Sequence, residues 1–307
     1  MSQEQIRTLT AGFVGLGNMG WPMAANLVAA GLALVVYDAD AERQAAFLAS
    51  HAGRAGDDPG AFAAAQIVIT MLPDDRAVAR ALIDGGIAAA LPSGAVVVDM
   101  SSSDPFGTRA LAERLPRGLS LVDAPVSGGV VRARSGELSI MCGSDSPEAI
   151  ERARPVLEIL GDRVVATGPL GSAHALKVLN NYLAAAAYVA ASEAVLVGTH
   201  FGLDPEVFLE VVNTSTGRSF MSEVVFPGDV LTGEYATGFA LGLLAKDVRI
   251  ARELAQALDV DAPALRLVSH RWAEAADGLG AAADHSEAHK KWWPDESGRF
   301  AAGSRES

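Results

Sequence analysis

Residues 11–27 read Ala-Gly-Phe-Val-Gly-Leu-Gly-Asn-Met-Gly-Trp-Pro-Met-Ala-Ala-Asn-Leu, and this stretch decides the fold of the first half of the chain. An apolar strand is predicted to end at Val14, and a helix to run from the following turn to about Ala30. A second apolar strand, residues 34–37, ends at Asp38. A strand, a helix and a second strand this close together form the βαβ unit of doubly wound parallel sheets.

The turn between strand and helix has the spacing G-x-G-x-x-G. Gly15 allows the tight turn, Gly17 lets the backbone approach a pyrophosphate, and Gly20 lets the helix pack closely on the strand. The N–H groups at the start of the helix favour a phosphate. We therefore expect a bound dinucleotide at this turn. Its predicted contacts are Gly15, Leu16, Gly17, Asn18, Met19 and Gly20.

Asp38 indicates which dinucleotide is bound. A carboxylate at the end of the second strand can accept a hydrogen bond from a ribose 2′-OH and would repel a 2′-phosphate. No arginine directly follows Asp38, and Arg43 is the nearest. NAD is therefore the predicted cofactor, and NADP is less favoured.

Two further strands are predicted to end near Pro73 and at Asp99. Residues at the carboxyl edge of a parallel sheet are the ones that meet a ligand. The candidate cofactor contacts at this edge are Met71, Leu72, Pro73 and Ser102. Ser102 or Ser103 could instead be the N-cap of a helix that begins near Pro105.

A possible anion site follows the next strand, which is predicted to stop at Pro125. Ser127, Gly128 and Gly129 offer one hydroxyl and consecutive unhindered N–H groups, a nest that suits a carboxylate. A turn without a ligand is the alternative. The last strands are predicted at residues 138–142 and 163–166, and no convincing strand pattern lies beyond Thr167.

Residues 173–199 predict one long helix. Ala, Leu and Val dominate, proline is absent, and the helix would be roughly 40 Å long at 1.5 Å per residue. Lys177 and Asn181 are four residues apart, so they share a face. A snorkelling or paired lysine and a catalytic proton donor both fit this pattern.

The predicted architecture is therefore α/β plus all-α. A Rossmann-like, doubly wound domain would span residues 1–172. An all-α domain would span residues 173–307 and begin with the long connecting helix. Its further helices are predicted at residues 204–213, 219–226, 239–258 and 262–276.

Composition excludes several classes of protein. A net charge of −13 without a basic block makes nucleic acid and anionic membrane surfaces improbable partners. A single cysteine, Cys142, fits a reducing compartment, and we expect a cytoplasmic protein. The apolar run 182–197 is interrupted by Glu193 and is interpreted as a core helix. The histidines show no metal-ligand spacing. His285 and His289 are four residues apart, but they are interpreted as the solvated end of a C-terminal helix. The polar tail from His289 to Ser307 is expected to be partly disordered or packed on another subunit.

Four segments together resemble the β-hydroxyacid dehydrogenases, the family of 3-hydroxyisobutyrate dehydrogenase and tartronate semialdehyde reductase. They are Gly-Phe-Val-Gly-Leu-Gly-Asn-Met-Gly-Trp-Pro-Met-Ala (12–24), Asp-Ala-Pro-Val-Ser-Gly-Gly (123–129), Gly-Ser-Ala-His-Ala-Leu-Lys-Val-Leu-Asn-Asn (171–181) and Lys-Asp (246–247). The resemblance covers about residues 10–290.

The resemblance implies roles for individual residues. Lys177 matches the general acid/base, and Asn181 matches a residue that helps to hold the substrate. The positions that match substrate contacts are Ser127, Gly128, Gly129, Phe239 and Asp247, and those that match cofactor contacts include Leu72, Pro73, Ser102 and Lys246. The expected reaction is NAD-dependent oxidation of the CH–OH group of a small 3-hydroxyisobutyrate-like acid. The expected assembly is a homodimer or homotetramer.

Lys177 could act as a base only if its pKa fell from the free value of about 10.4. Burial at a domain junction and the positive nicotinamide ring of NAD⁺ would both lower it. Imine reductases share the cofactor half of this pattern but lack a lysine at this position.

Two alternatives stay open on the sequence. The substrate could be another small acid semialdehyde, of the tartronate semialdehyde or sulfolactaldehyde type. Arg132 bears on this choice, because it stands where the family usually has glycine. It could be a solvated loop residue, or it could bring positive charge near the substrate. The second alternative is a non-catalytic dinucleotide-binding protein.

Overall fold

The structure is a computed structural model that describes residues 9–300, except for the side chains of residues 297–299. The chain divides into two compact units, Met1–Lys177 and Val178–Ser307. The boundary falls within one long helix, Ser172–Phe201.

The first unit is built on a mostly parallel sheet. Its strands are β1 (Thr10–Val14), β2 (Ala33–Tyr37), β3 (Arg54–Ala55), β4 (Ile67–Thr70), β5 (Val96–Asp99), β6 (Ser120–Asp123), β7 (Val126–Ser127), β8 (Ser139–Gly143) and β9 (Arg163–Gly168). The order is β3-β2-β1-β4-β5-β6-β8-β7, and β9 pairs with β8. Strands β1 to β6 pair in parallel, whereas β8 is antiparallel to β6 and β7. The predicted Rossmann-like sheet is confirmed. The order of its strands reverses between β1 and β4, since β2 and β3 lie on one side of β1 and β4 to β6 on the other, and such sheets bind ligands at this point.

Helices cover both faces of this sheet. They are α1 (Gly20–Ala29), α2 (Ala41–Ser50), α3 (Asp75–Ala79), α4 (Ile87–Ala90), α5 (Pro105–Arg114), α6 (Gly129–Ser135) and α7 (Pro147–Leu160). Adjacent strand residues point into different apolar clusters: Phe13 joins one and Val14 the other. Burial on both faces explains why the strands read as continuous apolar runs. The sequence analysis missed α6 and α7, although Ser146 caps α7 by accepting from the Ala149 N–H at 3.2 Å.

The second unit is helical, as predicted. Its elements are the long helix α8 (Ser172–Phe201), which begins in the first unit, and then α9 (Pro205–Asn213), a π-helical segment (Met221–Val230), α10 (Leu241–Ala257), α11 (Pro263–Leu279) and α12 (His289–Trp292). In the described part of this unit, β pairing is limited to one bridge between Ala240 and Asp284. Its core is aromatic and includes the fully buried Tyr188, Phe226 and Trp272.

The prediction that His285 and His289 are solvated is wrong. Their exposed fractions are 4% and 0%, because both rings pack into the aromatic core. The His289 ring lies 4.6 Å from the Phe300 ring, and its Nδ1 lies 3.1 Å from the Tyr188 hydroxyl. Burial lowers the pKa of His289 to about 4. The polar tail is therefore packed on its own unit as far as Phe300, and residues 301–307 lie outside the described residues.

Helix α8 is the one helix within residues 9–300 that is long and apolar enough to cross a membrane. One side of this helix packs into the core of the chain. Tyr188 is fully buried, and the Trp272 indole N–H donates to the Ala185 carbonyl at 3.2 Å. In the single chain, 33% of the residues in its most apolar stretch are buried.

Two glycines in the turn between β1 and α1 have different roles. A methyl group on Gly20 would collide with the carbonyl oxygen of Gly15 and would lie 3.2 Å from the Phe13 ring. A methyl group on Gly17 would meet no protein atom within 4 Å. Gly20 is therefore required by the packing of the fold, whereas Gly17 keeps space clear for something outside the protein.

We expect the matched substitutions Gly20→Ala and Gly17→Ala to have different effects. Gly20→Ala should lower the free energy of unfolding by about 1–3 kcal/mol, because the added methyl overpacks the turn. Gly17→Ala should leave thermal unfolding of the cofactor-free protein unchanged but weaken NADH binding, measured by fluorescence titration. Equal losses of stability in the two variants, or unchanged NADH affinity in Gly17→Ala, would contradict this assignment.

Candidate active site

Asp38 is held against the glycine turn. The Leu16 N–H donates to Asp38 Oδ2 at 2.6 Å, and the Asp40 N–H donates to Oδ1 at 2.8 Å. Arg43 Nη1 lies 3.8 Å from Asp38 Oδ1. Each carboxylate oxygen keeps a further lone pair for a ribose hydroxyl. Leu16 is buried, with an exposed fraction of 1%, and its N–H is used to orient the Asp38 carboxylate.

The surroundings of this turn fit a dinucleotide. No side chain caps the N-terminus of α1 at Met19, so N–H groups of the first turn still need acceptors. The clear space at Gly17 lies in the same turn, and Asn18 is exposed there. A pyrophosphate would satisfy these N–H groups, and Asp38 would meet the adjoining ribose.

Two more loops of the first unit are tied together at the carboxyl edge of the sheet. The Leu72 N–H, just after β4, donates to Ser101 Oγ at 2.9 Å. Ser103, just after β5, donates from its hydroxyl to Asp99 Oδ2 at 2.7 Å. Ser102 is half-buried between these two anchored serines. The predicted cofactor residues Met71 and Leu72 are half-buried as well, and Pro73 is exposed.

The alternative in which Ser102 or Ser103 caps the next helix is wrong. Asp104 is the N-cap of α5, and its carboxylate accepts from the Phe106 N–H at 2.8 Å. An Asp is as good a cap as a Ser, and the residue directly before Pro105 is the one placed to do it.

Lys177 meets the predicted anion nest. Its ammonium group donates to Ser127 Oγ at 3.1 Å, across 50 residues of sequence. The next two residues, Gly128 and Gly129, have φ angles of 134° and 65° and are exposed. The structure therefore brings together the candidate proton donor and the candidate carboxylate site, which the sequence predicted separately.

Arg132 is not the loop residue expected. It lies on α6, and its Nη2 is 3.2 Å from Asp162 Oδ2, with both side chains about half exposed. Its side chain also borders the candidate carboxylate site, because Arg132 Cβ lies 2.8 Å from where a side chain on Gly128 would begin.

The start of α8 is anchored by Asp123, which sequence reasoning quoted only as part of a motif. Its fully buried carboxylate accepts from the Gly171 N–H at 2.8 Å and from the His174 N–H at 2.9 Å. A carboxylate at a helix N-terminus satisfies N–H groups and complements the helix dipole. The signal in the sequence was an acid at the end of a predicted strand, the same signal as Asp38.

In the second unit, Asp247 orients Asn181. The Asn181 amide donates to Asp247 Oδ2 at 2.6 Å, and both side chains are buried. Lys246 Nζ lies 3.1 Å from Asp247 Oδ1. Phe239 is half-buried, and its carbonyl accepts from the His285 N–H at 3.0 Å. Asp247 therefore fixes which side of the Asn181 amide is presented, and His285 holds the backbone at Phe239.

Two protein families match most of the chain between them. Residues 10–168 match the family described as the NAD binding domain of 6-phosphogluconate dehydrogenase. Residues 171–292 match the family described as NAD-binding of NADP-dependent 3-hydroxyisobutyrate dehydrogenase.

Individual relatives cover nearly the whole chain. A 2-(hydroxymethyl)glutarate dehydrogenase of Eubacterium barkeri is 33% identical over 97% of this chain and 99% of its own. An NAD-dependent L-serine dehydrogenase of Pseudomonas aeruginosa is 37% identical over 80% of this chain and 85% of its own. A solved structure of Mycobacterium tuberculosis 3-hydroxyisobutyrate dehydrogenase with L-serine has a TM-score of 0.84 at 32% identity, covering 91% of this chain and 97% of that one.

These matches and the sheet, glycine turn and helical second unit lead to one conclusion. The chain belongs to the β-hydroxyacid dehydrogenase family and is an NAD-binding oxidoreductase of that family.

Proposed function

We propose that the protein oxidises the primary alcohol of a small 3-hydroxypropanoate substituted at C2, with NAD⁺ as oxidant and Lys177 as general acid/base. The observation that carries the proposal is the 3.1 Å contact between Lys177 Nζ and Ser127 Oγ. This contact joins the Lys177 amine to a hydroxyl that two exposed glycines follow. Such an arrangement would suit a substrate with an alcohol close to a carboxylate.

The substrates named for the relatives support this substrate class. 3-Hydroxyisobutyrate, L-serine and 2-(hydroxymethyl)glutarate all contain the group HO–CH₂–CH(R)–COO⁻. They differ in R, which is a methyl, an ammonium or a carboxyethyl group. The reacting alcohol and one carboxylate are therefore constant, and the proposed site recognises this constant part.

The proposed chemistry separates a hydride from a proton. NAD⁺, when bound, accepts the hydride from the carbinol carbon. Lys177, as the free amine, takes the hydroxyl proton as the C–O bond becomes a carbonyl. Ser127 and the N–H groups of Gly128 and Gly129 hold the carboxylate, and Asn181 orients the substrate. In the reverse direction the Lys177 ammonium returns the proton to an aldehyde.

The proposed assembly is a homodimer or homotetramer that covers an apolar face of α8. Leu176, Leu179 and Leu183 follow helical spacing and have exposed fractions of 45%, 40% and 66%. Val197 and Phe201, four residues apart, are exposed by 69% and 85%. Apolar residues clustered in this way mark a protein interface. The proposed location is the cytoplasm, where the buried thiol of Cys142 would stay reduced.

Lys177→Met should lower kcat by about 10²- to 10⁴-fold, since it removes the general acid/base but keeps much of the side-chain volume. NADH affinity should stay within about twofold, because Lys177 is not proposed to hold the cofactor. Stopped-flow turnover and fluorescence titration measure the two quantities.

Lys291→Met, at an exposed lysine, is the control and should match the wild type. Near-normal turnover of Lys177→Met would remove Lys177 from the mechanism. An inactive wild type that binds NADH would favour the non-catalytic alternative.

Asp38→Asn should narrow the preference for NAD over NADP by roughly tenfold, because the amide still accepts from Leu16 but no longer repels a 2′-phosphate. Arg43, 3.8 Å from Asp38, would be the group that meets this phosphate. The double variant Asp38→Asn/Arg43→Ala should lose the gain, while Arg43→Ala alone should leave kcat/KM for NAD nearly unchanged. A wild type that prefers NADP would overturn this interpretation of Asp38.

Leu183→Glu should shift the oligomer toward smaller species in sedimentation velocity by weakening association at least about tenfold, since it places a charge in an apolar contact. Glu193→Gln, on the same helix, is the control because it adds no charge. A wild-type monomer at micromolar concentration would contradict the proposed assembly.

A further inference from the structure

His174 is a buried histidine that the proposed chemistry does not use. Its ring has an exposed fraction of 0% and lies three residues before Lys177 on α8. Its Nδ1 is 2.7 Å from Thr108 Oγ1, and its Nε2 is 3.0 Å from the carbonyl oxygen of Ser101. Both ring nitrogens therefore contact elements at the carboxyl edge of the sheet.

The partners determine where one hydrogen on the ring must be. The Ser101 carbonyl can only accept, so Nε2 carries a hydrogen and donates it. The Thr108 hydroxyl can donate to Nδ1, or it can accept from Nδ1 and donate instead to the Asp104 carbonyl oxygen, which lies 3.0 Å away. A substitution at His174 that preserves the function must therefore still donate a hydrogen bond to the Ser101 carbonyl.

Ser101 joins this histidine to the cofactor loops. Its hydroxyl accepts from the Leu72 N–H at 2.9 Å, and its own N–H donates to Asp99 Oδ1 at 3.1 Å. The loop after β4 is therefore bonded to a serine of the loop after β5, and the carbonyl of that serine is bonded to His174.

The other end of this connection is Lys177. Residues three apart on a helix project from the same face. Contacts that fix the rotation of α8 about its axis at His174 therefore also fix the direction in which Lys177 projects. The His174 N–H is held as well, by Asp123. Loss of the ring contacts would leave this turn anchored by its backbone alone, with the Ser101 carbonyl buried and unpaired.

We propose that His174 is a positioning residue that holds the cofactor loops at Leu72 and Ser101 in register with Lys177. It touches neither substrate nor reacting atoms, and it acts through Ser101 on one side and through the first turns of α8 on the other. The inference rests on the proposed role of Lys177.

The matched pair His174→Gln and His174→Asn tests the inference. The Gln amide can reach the position of Nε2 and donate to Ser101, whereas the Asn amide reaches only that of Nδ1. His174→Gln should keep kcat within about threefold of the wild type, and His174→Asn should lower kcat by about 10- to 100-fold, since small displacements of a reacting group have effects of this size. The KM for the hydroxyacid should change less than kcat.

A second readout does not depend on turnover. In the cofactor-free protein, amide hydrogen exchange of residues 71–74 should be faster in His174→Asn than in the wild type or in His174→Gln, because the support of Ser101 is lost. If His174→Asn does not fold, His174→Phe replaces it. That variant keeps a ring of similar size, removes the donor to the Ser101 carbonyl, and should lower kcat.

The outcomes separate this inference from the proposed function. Equal kcat in both His174 variants, or a lowered melting temperature with unchanged kcat and exchange, would overturn the positioning role while leaving Lys177 in place. For the replacement variant, wild-type kcat in His174→Phe would do the same. Near-normal turnover of Lys177→Met would instead overturn the proposed function.

Discussion

The buried carboxylate of Asp123 is the interaction on which the candidate site depends. It ends β6 and accepts two N–H groups from the start of α8, those of Gly171 and His174. A buried charge is tolerated only when donors replace its water, and here the helix N-terminus supplies them. The sheet and the long helix are thereby joined at one point, and Lys177 lies one turn further along.

The carboxyl edge of the parallel sheet gathers the predicted cofactor segments of the first unit. Strands β1, β2, β4 and β5 all end there, so the glycine turn, Asp38 and the loops at Leu72 and Ser101 share one edge. Side chains of one loop satisfy the backbone of the next, as Asp38 does for Leu16 and Ser101 for Leu72. These bonds shape the edge before any ligand binds, which reduces the ordering that binding requires.

The residues proposed for the reaction and those proposed to contact the rest of the substrate belong mainly to different units of the chain. In the proposed mechanism, the reacting alcohol and carboxylate contact Lys177, Ser127 and two glycines, all in the first unit. Asn181 and Phe239 belong to the second unit, where the buried Asp247 orients the amide and His285 holds the backbone. A family can thus retain its chemistry while the substituent at C2 changes, as the names of the relatives show.

The sequence by itself determined the Rossmann-like sheet, the glycine turn and the long helix, because each is written in a local pattern of apolar residues and glycines. The 3.1 Å contact of Lys177 with Ser127 was decided by tertiary structure, since 50 residues separate the two. The same is true of the His174 bonds to Ser101 and Thr108, which needed the order of β5, β6 and α8 in space. His285 and His289 were misassigned for a related reason. A polar tail indicates solvent, and only the folded second unit shows that its two histidines complete an aromatic core.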